Sequence, residues 1–246
     1  MIERMLIVGS GSSGRRHLRL TRELLPAARV SVVSRNAAKA QIPDSDVERF
    51  SSIDAALATR PDAAIVANPA TMHVAAALPL VTAGVHVLVE KPLSATEAGI
   101  DELARVSEER GIVVMVGYNL RFLHSLNHFR DLLRSGRIGK VLSVRAEVGQ
   151  WLPSWRPGKD YREGVSASAA LGGGVLLELS HEIDYLRWLF GEVTCVRAVH
   201  LKQSDLEIDV EDTAHLLLEL SDTRGAKVIA TLNMDFVRRD ATRTCT

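Results

Sequence analysis

The sequence is poor in cysteine and has no excess of charge of either sign. Its 246 residues include only two cysteines, Cys195 and Cys245, too few for a disulfide framework and at no metal-binding spacing. Thirty basic residues balance thirty acidic ones, and no lysine- or arginine-rich run stands out. We therefore expect no disulfide scaffold, no bound metal and no nucleic-acid partner.

Long hydrophobic runs are missing as well. No apolar stretch approaches the roughly 20 residues of a membrane span. The first residues, MIERMLIVGSGSSG, lack the basic start and long apolar core of a signal peptide. Apolar residues make up 46% and charged residues 24%, values typical of folded soluble domains. We expect a folded protein in a reducing, cytoplasmic setting, without membrane contact.

The first half of the chain alternates short apolar runs with segments of helical length. This order predicts βαβ units, in which helices cover both faces of a parallel sheet. Near-continuous Val, Ile, Leu and Ala content predicts strands buried on both faces, at RMLIVG, RVSVVS, DAAIVA, VHVLVE and IVVMVG. We predict an α/β domain with a doubly wound parallel sheet over residues 1–120.

The pattern changes after Tyr118. A helix is predicted from about Leu123 to Ser135, and a long loop from Leu152 to Leu171. The later strands alternate apolar and polar residues, which suits an antiparallel sheet with one covered face. We predict an α+β domain over residues 121–246 with a largely antiparallel, open sheet. Because the sequence stops at FVRRDATRTCT, where another strand is expected to begin, we expect this sheet to be C-terminally truncated.

Three glycines follow the first predicted strand, in IVGSGSSGRRH. At this place in a βαβ unit, Gly9 permits a tight turn, Gly11 lets the backbone approach a pyrophosphate, and Gly14 lets the helix pack closely on the strand. The free N–H groups of the helix then face the phosphates. We predict dinucleotide binding, against the alternative of a plain glycine turn, by Gly9, Ser10, Gly11, Ser12, Ser13 and Gly14.

Ser34 and Arg35 end the second strand, where an NAD site usually carries an acidic residue for the ribose 2′-hydroxyl. A hydroxyl and a guanidinium suit a 2′-phosphate, which a carboxylate would repel. The predicted cofactor is therefore NADP, with NAD as the alternative. An exposed arginine at a strand end is the other interpretation.

Two further strand ends carry polar residues. Asn68, Pro69 and His73 follow DAAIVA, at the sheet edge where ligands of open α/β sheets bind. Asn68 is suited to a ribose or carboxamide, and equally to a turn before a helix. Glu90 and Lys91 follow VHVLVE, where a lysine can stabilise negative charge on a substrate oxygen or can simply be solvated. We assign all five residues to the cofactor site and Lys91 also to catalysis.

The stretch GGGVLLELSHEIDYLRWLFG predicts one two-faced helix. At about 100° per residue, apolar side chains share one arc, namely Val175, Leu176, Leu179, Ile183, Leu186 and Phe190. Glu178, His181 and Asp184 fall opposite, together with Tyr185 and Trp188. A carboxylate three residues away can orient the imidazole and favour its charged form. We predict catalytic roles for His181, Asp184 and Glu178, against the alternative of a structurally buried histidine.

Aromatic and cationic side chains gather in two segments of the second half. Aromatic faces pack on sugar rings, and cations suit a phosphate or carboxylate. We predict a substrate pocket formed by Tyr118, Asn119, Arg121, Trp151, Trp155 and Arg162. The alternative is a long loop that its tryptophans anchor over the sheet.

Five motifs in a fixed order resemble a known family. GxGxxG, Asn68-Pro69, Glu90-Lys91-Pro92, GYNLRF and GGG…HEID together look like the Gfo/Idh/MocA oxidoreductases, from about residue 4 to residue 240. The resemblance implies a Rossmann domain, a second domain whose open sheet forms a homodimer or homotetramer interface, bound NAD(P) and a sugar-like substrate. It also implies that Lys91 and His181 are catalytic, with Asp184 the acid three residues later. Glu178 departs from the family, which has Asp four residues before the histidine.

These features predict an NAD(P)-dependent oxidoreductase that transfers hydride between nicotinamide and a carbinol carbon of a sugar, cyclitol or nucleotide-sugar. His181 would exchange the hydroxyl proton, and Lys91 would polarise the same oxygen. Two alternatives stay open: a non-catalytic NAD(P)-binding protein of regulation or assembly, and a redox-neutral hydrolase or epimerase that retains its NAD.

Overall fold

The computed structural model describes residues 2–34, 47–222 and 225–246. The chain divides into two compact units, Met1–Gly117 and Tyr118–Thr246. Within the described ranges, no helix is both long enough and apolar enough to cross a membrane.

The first unit is built on a parallel sheet that has six strands in the described residues. They are β1 (Arg4–Val8), β2 (Arg29–Val33), β3 (Glu48–Phe50), β4 (Ala63–Val66), β5 (His86–Val89) and β6 (Val114–Val116). Their order is β3-β2-β1-β4-β5-β6, that of a dinucleotide-binding sheet. The predicted doubly wound parallel sheet is therefore confirmed. β3 was not predicted, because its residues do not form an apolar run.

Helices cover both faces of this sheet. They are α1 (Ser12–Leu24), α2 (Ile53–Leu57), α3 (His73–Thr82) and α4 (Ile100–Arg110). Successive side chains of a strand point to opposite faces, so β1 contributes to two separate cores. Leu6 and Val8 pack with α3 and α4, while Met5 and Ile7 pack with α1. Burial on both faces explains why these strands are continuously apolar.

The second unit pairs helices with a mixed sheet. Its helices are α5 (His124–Arg134), α6 (Val175–Glu178) and α7 (His181–Phe190), and its described strands are β7 (Ser143–Gly149), β8 (Glu192–Leu201), β9 (Thr213–Ser221), β10 (Lys227–Asp235) and β11 (Thr242–Cys245). The order is β11-β7-β10-β9-β8, and all pairs are antiparallel except β7 with β10. This confirms the largely antiparallel sheet, while β11, in the segment expected to lack a strand, was missed.

One face of the second sheet carries the core of the unit. Alternate residues of β9, Leu216, Leu218 and Leu220, are buried against α6, α7 and their neighbours. On the opposite face, Leu217 and Ile229 remain 38% and 52% exposed. Among the described residues, one face of the sheet is therefore covered, while the other face carries exposed apolar side chains.

The prediction of a single helix through Val175–Phe190 is wrong. Leu179 leaves the helical region, with φ −101° and ψ 21°, and the N–H of Glu182 donates to the Leu179 carbonyl only three residues back. The regular i to i−4 ladder is thus interrupted between α6 and α7. Because positions on a helical wheel do not carry across such a break, Tyr185 lies in the core at 3% exposure instead of on the polar face.

Candidate active site

The three glycines of the turn after β1 have different surroundings. Gly9 has φ +111°, and a Cβ there would lie 2.7 Å from the carbonyl oxygen of Ala67. A Cβ on Gly14 would overlap the carbonyl oxygen of Gly9. A Cβ on Gly11, in contrast, would meet no atom within 4 Å. The fold therefore requires two of the glycines, whereas Gly11 leaves open space at the start of α1.

The N-terminus of α1 has the features of an anion-binding site. Ser12 and Ser13 open the helix, its N-cap residue Gly11 offers no side-chain acceptor, and its first turn contains no acidic residue. The first N–H groups and the helix dipole consequently favour negative charge. Beside this turn, the hydroxyls of Ser10 and Ser34 lie 2.8 Å apart and tie the ends of β1 and β2 together. Arg35, the predicted 2′-phosphate ligand, lies outside the described residues.

The end of β4 presents a buried acceptor. Asn68 Oδ1 is buried and has no hydrogen-bond partner in the described part of the chain. An unsatisfied buried oxygen is costly, and a ligand hydroxyl or amide would relieve that cost. Pro69 follows and precedes a short 3₁₀ turn, Ala70–Met72.

His73 occupies a different environment from Asn68. It is 2% exposed, and its Nδ1 and Nε2 lie 2.8 Å from the carbonyl oxygens of Pro92 and Asn68, respectively. Its ring therefore links the ends of β4 and β5. Contact between His73 and a cofactor stays a prediction, and the geometry favours a role in holding these two strand ends.

Glu90 anchors the segment that carries Lys91. Its side chain is 15% exposed, and its Oε1 lies 2.6 Å from His17 Nε2 and 2.8 Å from the guanidinium of Arg16. The Lys91 N–H donates to Oε2 over 3.3 Å. Burial raises the pKa of Glu90, but the hydrogen bond and charge of His17, with the charge of Arg16, lower it to about 2. The following Lys91–Pro92 peptide bond is cis.

His17 and Arg16 were not assigned a role from the sequence. Both lie in α1, directly after the glycine turn, in the stretch GRRH. A histidine and an arginine so close to a candidate phosphate site could have been flagged as partners for an acid. Nothing in the spacing identifies Glu90 as that acid, because it lies on a distant strand end.

In the second unit, His181 is the first residue of α7. The ring of Tyr118 meets the imidazole edge to face, with centroids 5.6 Å apart and planes at 77°. Burial raises the pKa of Tyr118. The carboxylate of Glu178 accepts a hydrogen bond from the hydroxyl of Ser166 over 2.9 Å. Glu178 is thus tied to the long loop.

Asp184 and Arg121 form a bidentate ion pair. The Nε and Nη2 atoms of Arg121 donate to the two carboxylate oxygens over 2.8 and 2.7 Å, and Asp184 is 8% exposed. This is the strong, planar geometry of an arginine–carboxylate pair. Trp188 adds a cation–π contact 5.9 Å from the same guanidinium. A predicted catalytic residue and a predicted substrate residue therefore bind each other, while Asn119 begins a 3₁₀ turn beside Arg121.

The three predicted substrate residues of the long loop have different surroundings. Trp155 donates from Nε1 to the carbonyl of Gln150 and packs on Phe236, which fits the alternative of a self-anchored loop. Arg162 pairs with the carboxylates of Asp160 and Glu207. Trp151 lies beside Arg239 and lines an open cavity.

Comparison with known proteins identifies the family. Residues 3–118 match the family model described as "Oxidoreductase family, NAD-binding Rossmann fold", and residues 126–245 match the "GFO/IDH/MocA C-terminal domain". The chain belongs to the Gfo/Idh/MocA family of oxidoreductases.

Individual relatives are moderately similar. An inositol 2-dehydrogenase 2 of Saccharopolyspora erythraea is 32% identical, over 87% of this chain and 62% of its own. A 2,7-anhydro-N-acetylneuraminate hydratase of Mediterraneibacter gnavus is 29% identical, over 89% of this chain and 59% of its own. The crystal structure of GenD2 from gentamicin A biosynthesis, in complex with NAD, has a TM-score of 0.79 at 28% identity, over 98% of this chain and 68% of its own. The chain spans about three fifths of the length of the two enzymes named first.

Proposed function

We propose that the protein is an NAD(P)-dependent dehydrogenase or reductase that acts on a CH–OH group of a sugar, cyclitol or nucleotide-sugar. The observation that carries the proposal is the open space at Gly11 above the uncapped N-terminus of α1. Family membership and the NAD complex of GenD2 support it. The dehydrogenase name of the Saccharopolyspora erythraea relative supports a polyol-like substrate.

The first unit carries groups that fit a dinucleotide. The turn from Gly9 to Gly14 would hold the pyrophosphate, and the unsatisfied oxygen of Asn68 would accept a hydrogen bond from a ribose or carboxamide. We assign Ser34 and Arg35 to the adenosine ribose and, from their chemistry, favour NADP over NAD. The chemistry that a bound nicotinamide supplies is hydride transfer at a carbinol carbon.

Two side chains of the protein carry the proton and charge chemistry in this proposal. The Lys91 ammonium stabilises negative charge on the reacting oxygen. The His181 imidazole exchanges the hydroxyl proton as a general base or acid. Since Asp184 is bonded to Arg121 and Glu178 to Ser166, we assign both carboxylates to positioning the segments around His181.

Substitution at these two residues tests the assignment. Lys91→Met should lower kcat by about 100-fold or more through loss of charge stabilisation, and His181→Asn should do so through loss of general acid–base catalysis. If both act in one step, the double variant should be scarcely slower than the worse single variant. Lys159→Met and His124→Asn, at exposed positions, are the matched controls. Unchanged sugar-dependent turnover of reduced nicotinamide in both single variants would exclude the catalytic assignment.

Cofactor choice requires a separate titration. NADH and NADPH are titrated into the wild type and Arg35→Ala, with nicotinamide fluorescence as the readout. We expect NADPH to bind more tightly than NADH, and the preference to disappear in Arg35→Ala. Equal affinities in the wild type would refute the NADP proposal.

A redox-neutral reaction is the second candidate, because the relative from Mediterraneibacter gnavus is named a hydratase. Sugar consumption without a net change in reduced-nicotinamide absorbance would favour it. Nucleotide binding without consumption of any sugar would favour the non-catalytic alternative. We further propose a homo-oligomer through the open face of the second sheet, and a cytoplasmic setting that suits the two free cysteines.

A further inference from the structure

A cavity of about 560 Å³ opens in the second unit. Its walls come from segments that follow β7, β8 and β10, with Trp151, Tyr161, Asp205, Leu206 and Arg239 among the lining residues. This volume is within the usual range for small-molecule pockets. Trp151 was predicted for a substrate pocket, whereas Asp205, Leu206 and Arg239 were not, because they lie far from it in sequence.

Arg239 is the cation among the residues that line this cavity. Nearby, Arg162 is paired with two carboxylates, and Arg238 is paired with Glu147 and Asp235. The guanidinium of Arg239 lies 3.5 Å from the ring centroid of Trp151, and Arg239 forms no ion pair with any described residue. Stacking on an indole leaves the N–H edge of a guanidinium free to bind an oxyanion through two hydrogen bonds.

The opposite wall is held in place by a buried carboxylate. Asp212 is fully buried and accepts hydrogen bonds from the N–H groups of Gln203 and Ser204 and from the Ser204 hydroxyl. Burial raises the pKa of Asp212, but these hydrogen bonds lower it below its ordinary value, so the carboxylate stays ionised. The turn that carries Asp205 is therefore fixed.

Asp205 supplies a hydrogen-bond acceptor to the cavity, and Tyr161 supplies a donor. The Asp205 carboxylate forms no hydrogen bond or ion pair with any described residue, so its oxygens can accept hydrogen bonds from ligand hydroxyls. The hydroxyl oxygen of Tyr161 accepts the N–H of Glu207 over 3.2 Å, which leaves the hydroxyl proton available to a ligand. The cavity thus offers an acceptor, a donor, an apolar wall at Leu206 and one oriented cation.

We propose that this cavity binds a sugar ring that carries a carboxylate or a phosphate. Arg239, held by Trp151, binds the anionic group, and Asp205 and Tyr161 bind ring hydroxyls. The inference rests on the proposed function, because it names the substrate class of the same sugar-acting protein. It is tested by binding, without any need for turnover.

The test uses isothermal titration of the full chain with D-glucuronate, D-glucose 6-phosphate and D-glucose. A hydrogen bond to a charged group is worth at least about tenfold in affinity. At least one anionic sugar should therefore bind about tenfold or more tightly than glucose. Arg239→Gln should abolish that preference, and Asp205→Asn should weaken binding of all sugars that bind. Arg156→Gln, in the same loop but outside the cavity lining, is the matched control. Thermal melting confirms that each variant is folded.

Each outcome decides the proposal. Preference for glucuronate identifies a carboxylate, and preference for glucose 6-phosphate identifies a phosphate. Equal binding of glucose, wild-type affinity in Arg239→Gln, or no binding of either anionic sugar overturns the subsite. Nicotinamide-dependent turnover of neutral sugars alone would leave the proposed function intact and refute the subsite. Arg239-dependent binding of an anionic sugar, without any nicotinamide-dependent turnover, would support the binding cavity and refute the proposed function.

Discussion

Glu90→Gln tests whether a buried carboxylate stabilises the segment that carries Lys91. The substitution keeps the shape of the side chain and removes the charge that faces His17 and Arg16. The wild-type contacts, 2.6 and 2.8 Å long, lie at a side chain that is 15% exposed. Loss of the charge leaves the guanidinium of Arg16 and the imidazole of His17 without their carboxylate partner.

The expected magnitude follows from the pKa of Glu90. Its decrease from 4.5 to about 2 corresponds to about 3 kcal/mol, since each pKa unit is worth about 1.4 kcal/mol. We expect Glu90→Gln to lower the free energy of unfolding by about 2–3 kcal/mol at pH 7. Because the pKa is lower in the folded state, this stabilisation is complete above about pH 4.5 and is lost as the pH falls through about 2. At pH 3 the difference should be about half as large, or less.

Urea unfolding at pH 7 and pH 3, followed by far-ultraviolet circular dichroism, measures both values. Tryptophan fluorescence is unsuitable, because Trp151, Trp155 and Trp188 all lie in the second unit. Glu23→Gln, on the helix that carries Arg16 and His17, removes an exposed pair with Arg19 and should cost at most about 0.5 kcal/mol. If Glu90→Gln costs no more than this control, or costs the same at both pH values, Glu90 does not stabilise the fold through its charge.

Three further predictions follow from the packing. Gly11→Ala should melt like the wild type yet bind NADH about tenfold or more weakly. Gly14→Ala should instead lower the Tm, because its Cβ overlaps a backbone carbonyl. Thermal melting and an NADH titration separate these effects, and normal binding by Gly11→Ala would contradict a pyrophosphate site at the glycine-rich turn. Arg243→Leu should cost about 2–4 kcal/mol, because it removes the 2.6 Å partner of the fully buried Glu182. Adding Glu182→Leu should recover most of that loss in urea titrations followed by tryptophan fluorescence, and no recovery would disprove the ion-pair account. Ile229→Asp should decrease the oligomer size in analytical ultracentrifugation, whereas unchanged sedimentation would exclude the open sheet face as the interface.

The sequence predicts the fold well where burial is continuous. The central strands of the first unit are apolar on both faces, and each was identified. β3 and β11 were missed because Glu48–Phe50 and Thr242–Cys245 are short edge strands with mostly polar residues. Such strands form because a neighbouring strand is present to pair with, and no apolar run marks them in the sequence. The break between α6 and α7 carries no glycine or proline between Glu178 and His181, so local propensity does not reveal it.

The candidate site is predictable as a set of positions but not as a set of contacts. Spacing identified the glycine turn and the strand ends. The partners of Glu90 and Asp184 lie 73 and 63 residues away, at His17 and Arg121, and no local pattern connects them. Glu182 did leave a signal, since it stands four residues before Leu186 within α7, the spacing of two side chains on one helix face. A charged residue at such a position indicates a buried partner.

The pairing of β7 has a consequence for synthesis of the protein. In the described chain, β7 pairs with β10 and β11, both made near the end of the second unit. On the ribosome, β7 therefore emerges with apolar residues at Val144, Ala146 and Val148 long before either neighbour exists. The sheet of the first unit can form while β7 is still unpaired. During synthesis, β7 is consequently exposed to misassociation until β10 and β11 have been made.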